Sequence, residues 1–137
     1  TEEQLKYETA VSKAKSHTPA ISGVISRAAC NAANELKAAA IVSSTKSGAT
    51  ARRISQCRPE CPIVAVTPSE KVAKSLAFCF GVYPVVAEDQ NSTDAMMANA
   101  TKIAVENGFA NSGDTVVIAA GLDQVGSTNL LKVSVVE

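Results

Sequence analysis

The chain has 137 residues, 46% of them hydrophobic, enough for one domain with a three-layer core and too few for two. Its 13 Lys and Arg balance 13 Asp and Glu, so it lacks the positive field that nucleic acid or an anionic membrane surface would call for. No apolar run approaches the roughly 20 residues of a bilayer span, and the polar, acidic start at Thr1, Glu2 and Glu3 is unlike a signal sequence; a cytoplasmic protein without nucleic-acid or membrane partners is the expectation.

Residues 1–17 are helix-prone but carry a sparse apolar set, Leu5, Tyr7, Val11 and Ala14. They read as a helical linker segment that docks on a partner domain. The first residue is Thr, not Met, which points to processing or to excision from a longer protein. The domain proper is expected over residues 18–137. Thr18 before Pro19 supplies a cap and a first-turn proline, and Ile21, Val24, Ile25, Ala28, Ala29, Ala32, Ala33 and Leu36 keep returning to one helical face. Residues 38–43, with β-branched Ile41 and Val42, then form a short apolar run, the pattern of a strand covered on both faces.

The unit repeats. A buried strand is predicted at 62–66, a helical stretch at 69–79 and a strand at 82–86, with Thr67-Pro68 and Gly81 marking turns. Ala95, Met96, Ala100, Ile103 and Ala104 give residues 93–107 a helical period, stopped by Asn107-Gly108. A strand at 115–119 and a turn-rich loop at 121–127 follow. Residues 130–136 alternate as an exposed edge strand does. Strands separated by helices mean a largely parallel sheet wrapped by helices, an α/β fold.

Between the first strand and the next helix lies Thr45-Lys46-Ser47-Gly48-Ala49-Thr50. In open α/β sheets ligands bind beyond the carboxyl ends of the strands, where helix N-termini direct free N–H groups outward. Three hydroxyls, a lysine, and a glycine that lets backbone approach an anion are the parts of a phosphate cradle. A hydroxyl at such a turn is also commonly just a cap. The sequence has neither the Gly-Lys-Ser/Thr ending of a nucleotide P-loop nor a dinucleotide Gly-x-Gly-x-x-Gly. Arg52 and Arg53 follow in the first turns of the helix, placed either to reach the same anion or to face water.

Other candidates are weaker. Cys57 and Cys61 are spaced i, i+4 with no second pair and the single His17 far upstream, so a zinc site is not expected. Cys30, Cys57, Cys61 and Cys79 read as reduced, mostly buried thiols. Glu88, Asp89, Asp94 and Asp123 are isolated loop acids, and Met96-Met97 reads as core and helix surface. No catalytic residue and no metal ligand is assigned.

The order of these motifs resembles the C-terminal domain of pyruvate kinase. The residues that carry the resemblance are Ala20-Ile21 with Ala28-Ala29, Ala40-Ile41-Val42, the stretch from Thr45 to Arg52, Ile54-Ser55, Arg58-Pro59, the stretch from Pro62 to Pro68, Gly81-Val82-Tyr83-Pro84, the stretch from Gly113 to Val117, and Gly126-Ser127-Thr128-Asn129. The resemblance implies a five-stranded mixed sheet with an antiparallel last strand. It implies a regulatory domain whose turn at Thr45 to Thr50 holds the phosphate of an allosteric effector, with Gly126, Ser127 and Thr128 in a loop that closes over it. Subunit assembly through a twofold face is implied as well. The active site, with its magnesium and potassium, would belong to a separate barrel domain, so the chain alone would not be an enzyme and would carry no cofactor.

The sequence departs from fructose-bisphosphate-regulated members by having no Trp, and by offering no Arg in Thr93-Asp94-Ala95-Met96. That favours a guest with one phosphate, a sugar phosphate or nucleotide monophosphate. Asp123 would repel an anion. Two alternatives stand beside this reading: a flavodoxin-like FMN-binding electron carrier, short of aromatics because Tyr7 and Tyr83 are its tyrosines, and an oligomerisation module with no ligand.

Overall fold

The computed structural model describes residues 19–88, 92–120 and 130–137. In chain order the elements are α1 (Pro19–Leu36), β1 (Ala40–Ser44), α2 (Ala49–Gln56), β2 (Ile63–Thr67), α3 (Glu70–Leu76), β3 (Val82–Val86), α4 (Thr93–Glu106), β4 (Thr115–Ala120) and β5 (Leu130–Val135). The strands form one sheet of order β3-β2-β1-β4-β5. All neighbours are parallel except β4 and β5, which pair antiparallel from Thr115 opposite Val135 to Ala120 opposite Leu130. The expected α/β sheet with a reversed last strand is therefore present.

The alternation of side chains along each strand divides the core in two. On one face Val42, Val64, Val116 and Ile118 pack against Met96, Met97, Ala100, Ile103 and Ala104 of α4. On the other, Ile41, Ile63, Ala65, Val117 and Ala119 meet Ala29 and Ala33 of α1, Ala51 and Ile54 of α2, and Leu76 of α3. Both methionines are thus core residues, with none left on the helix surface.

Boundaries differ from expectation where the apolar run and the hydrogen-bond ladder part company. β1 begins at Ala40, because Ala38 and Ala39 are spent leaving α1: Ala38 N–H donates to Ala33 O at 2.9 Å. α3 stops at Leu76, its last deeply buried side chain, and Phe78 and Phe80 stand exposed beyond it. The face of α1 is also rotated. Ile21, Val24 and Leu36 are exposed, whereas Ser22, Ser26, Ala29, Cys30 and Ala33 are buried. Small side chains let this helix lie close to its neighbours, and Ser26 Oγ satisfies itself on Ser22 O at 2.7 Å, so burying the serines leaves no orphaned hydroxyl there.

Strand order also locates the ligand edge. From β1 the chain steps to β2 and β3 on one side, while β4 lies on the other. The strand order therefore reverses at β1, the switch point where open α/β sheets receive ligands. Ser44 and Ala120, the last residues of β1 and β4, are paired, so these two neighbouring parallel strands end level at the same edge of the sheet.

Candidate functional site

Residues 45–50 form a tight turn whose last two residues already belong to the first turn of α2. Thr45 is buried; its N–H donates to Val66 O at 2.9 Å, anchoring the turn to β2. Gly48 N–H donates to Thr45 Oγ1 at 2.8 Å, and Ala49 N–H donates to Ser47 Oγ at 3.3 Å. Both hydroxyl oxygens thus accept from the turn's own backbone. Because a hydroxyl accepts and donates at once, accepting these bonds leaves each able to donate to a further acceptor. Thr50 is buried and Lys46 exposed.

Gly48 is the N-cap of α2, at φ 89° and ψ −5°. That left-handed conformation costs an L-residue roughly 1–2 kcal/mol. A Cβ there would also lie 2.8 Å from Arg52 Nη1 and 3.2 Å from Leu76 Cδ2. The glycine is required by its backbone, and a side chain there would also displace the Arg52 guanidinium.

The two arginines diverge. Arg52 is bound into the turn: Nη1 donates to Ser47 O at 3.1 Å and Nη2 to Ser75 Oγ at 2.8 Å, tying the turn to α3. One position on, Arg53 faces α1, and its Nη1 is buried without a hydrogen-bond partner among the described residues. It lines a cavity of about 350 Å³ with Gly23, Ser26, Arg27, Gln56 and Cys57. So Arg52 stands at the turn and Arg53 does not.

The far end of α2 is closed by Cys57, whose N–H donates to Ile54 O at 3.0 Å. Arg58 then takes φ 52°, and its guanidinium carbon sits 4.2 Å from the Phe80 ring centroid. Ser55 Oγ donates to Phe80 O at 2.7 Å. Of the four thiols, Cys30 is buried and the other three are half-buried; the expectation of mostly buried thiols holds for one. Sequence reasoning missed that Cys30 comes to Cys57. Its Sγ donates to Cys57 O at 3.7 Å, a long-range approach that no local spacing signals.

Gly126, Ser127, Thr128, Asp123, Asp89, His17 and Tyr7 lie outside the described residues. Glu88 and Asp94 are exposed. Tyr83 is on edge strand β3, with its ring 5.2 Å from that of Phe109, two strands away from the turn. It stacks in the α4 layer and offers no wall for a flavin.

An open, mostly parallel α/β sheet with a glycine-capped, hydroxyl-lined turn at its switch point places the chain among the α/β domains. Residues 23–134 match the family described as pyruvate kinase, alpha/beta domain. The chain belongs to that family. It is 42% identical over 139 residues to a pyruvate kinase of Clostridium acetobutylicum, covering 99% of this chain and 29% of that protein. Over 103 residues, 74% of this chain and 18% of the relatives, it is 48% identical to a pyruvate kinase of Staphylococcus epidermidis and 46% to one of Staphylococcus aureus. The chain spans less than a third of the length of these curated relatives.

Proposed function

We propose that this chain is the regulatory α/β domain of a pyruvate kinase and that the turn at residues 45–50 holds the phosphate of a small effector. The observation that carries the reading is Gly48 at φ 89°, flanked by two hydroxyls that spend their oxygens on the turn and retain their protons. An anion seated there receives those protons and the positive end of the α2 dipole. Thr45, Lys46, Ser47, Gly48, Ala49 and Thr50 are the effector residues, with Gly126, Ser127 and Thr128 closing over the guest from the neighbouring strand. One phosphate, on a sugar or a nucleoside, suits a chain that has no Trp and no Arg in the stretch Thr93-Asp94-Ala95-Met96.

The domain contributes no catalytic group of its own and requires no cofactor. Magnesium, potassium and phosphoryl transfer to ADP from phosphoenolpyruvate belong to a barrel domain in the whole cytoplasmic enzyme, where this domain also helps to assemble subunits.

The test is a thermal-stability panel on the purified chain with fructose 1,6-bisphosphate, glucose 6-phosphate, ribose 5-phosphate and AMP. A ligand at a hundred times its Kd adds about 2.7 kcal/mol, and Gly48→Asp abolishes that gain by placing a carboxylate in the cradle. If no compound raises the melting temperature, or if Gly48→Asp leaves the gain intact, the effector site is not at this turn.

A further inference from the structure

The cleft between α1 and the C-terminal end of α2 combines three features that the effector site does not use. Arg27 and Arg53 supply two cations to one cavity of about 350 Å³, and none of the described residues lining it is a carboxylate. Arg53 lines this cavity, and its Nη1 is enclosed by protein without a hydrogen-bond partner among the described residues, a desolvated guanidinium N–H. Cys57 lines the same cavity, and behind it lies buried Cys30, whose Sγ reaches the Cys57 carbonyl at 3.7 Å and accepts from Asn34 Nδ2 at 3.9 Å. That contact brings together two thiol-bearing residues 27 positions apart in the chain. Among the described residues no three His, Cys, Asp or Glu side chains converge to hold a metal ion, so the pair's chemistry is that of thiols.

We infer that Cys57 and Cys30 form an oxidisable dithiol, reached through this cavity by a small anionic disulfide that Arg27 and Arg53 receive. The Cys57 thiolate attacks one sulfur of the incoming disulfide. Its S–S bond breaks, and the departing thiolate carries off the electron pair and takes up a proton. Cys30, after giving its proton to water, attacks the Cys57 sulfur of the mixed disulfide and expels the second thiolate, which is protonated in turn. The protein loses two hydrogens, the small disulfide becomes two thiols, and excess thiol reverses the sequence. Burial first, and then the neighbouring Cys57, raise the Cys30 pKa, which suits a resolving thiol that stays protonated until the mixed disulfide sits beside it.

The test treats the reduced 137-residue chain with oxidised glutathione, which is anionic, and in parallel with cystamine, which is cationic, following intact mass and non-reduced peptide maps. The expected product is a Cys30–Cys57 cross-link. Cys30→Ser halts at one glutathione on Cys57, and Arg53→Gln slows the glutathione reaction roughly tenfold while leaving cystamine unaffected. A chain in denaturant, governed by loop closure, should instead favour Cys57–Cys61; this contrast holds even if Cys30→Ser fails to fold. A folded chain that acquires no Cys30–Cys57 bond overturns the inference. Equal slowing of both reagents by Arg53→Gln overturns the role of the arginines.

Discussion

The two ends of α2 show what adjacent, chemically identical residues become when a helix turns between them. Arg52 and Arg53 lie about 100° apart around the helix axis. At the N-terminal end Arg52 is engaged, clasping Ser47 O and Ser75 Oγ. At the other, Arg53 holds a buried nitrogen with no partner among the described residues. One arginine consolidates a turn; the other lines a cavity to which the described residues contribute no carboxylate. Neither assignment follows from the order Ala51-Arg52-Arg53-Ile54, because it depends on which face of the helix the sheet claims.

The contrast can be broken at its shared support. Ile54 is fully buried and holds both ends against the sheet, so Ile54→Ala should cost about 2–5 kcal/mol in urea unfolding and loosen turn and cavity together. If the loss is under about 1 kcal/mol, the two ends are supported independently. Next in size is Gly48→Ala, expected to cost roughly 1–2 kcal/mol for its backbone alone and more for displacing Arg52. Gly113→Ala is the control, at φ 90° with open space around the new methyl; equal costs would mean that the approach of Arg52 to Gly48 is immaterial.

Substituting each arginine by glutamine sharpens the difference. Arg52→Gln should lose about 1–2 kcal/mol with its two hydrogen bonds. Arg53→Gln should lose less or even gain, since it removes a desolvated charge. The reverse ranking in denaturation midpoints would invert the roles given to them here. The smallest effect is on pH. Burial is the first cause holding the thiols of Cys30 and Cys61 above the ordinary 9.0. The folded chain therefore keeps protons that the unfolded chain releases, and this contribution is full below pH 9.0 and falls away as pH rises through the folded values. Cys61→Ser should flatten the alkaline decline of the urea midpoint; an unchanged slope would remove Cys61 from its causes.

Much of the fold was legible because buried parallel strands leave a direct imprint. Val82 to Val86 is a strand over the very residues predicted, and contiguous Ile41-Val42 and Val116-Val117 mark strands apolar on both faces. The turn was legible for a similar reason: glycine within a hydroxyl-rich stretch after a buried strand is local information, and Gly48 has the positive φ that makes it necessary. What escaped was relational. Apolar spacing placed Ile21 and Val24 on the packed face of α1, yet the packed face is built from serine, alanine and cysteine, because closeness of approach outweighs side-chain size where a helix lies tight against its neighbours. The link from Arg52 to Ser75 and that from Cys30 to Cys57 span 23 and 27 residues. Only the folded sheet brings such partners into reach.

Eight residues make α2 a rod about 12 Å long, too short to bend. Its middle is clamped by Ala51 and Ile54, both without solvent exposure, while its ends carry Gly48 and Cys57. The same two buried side chains therefore fix the position of the glycine end and of the cysteine end against the sheet.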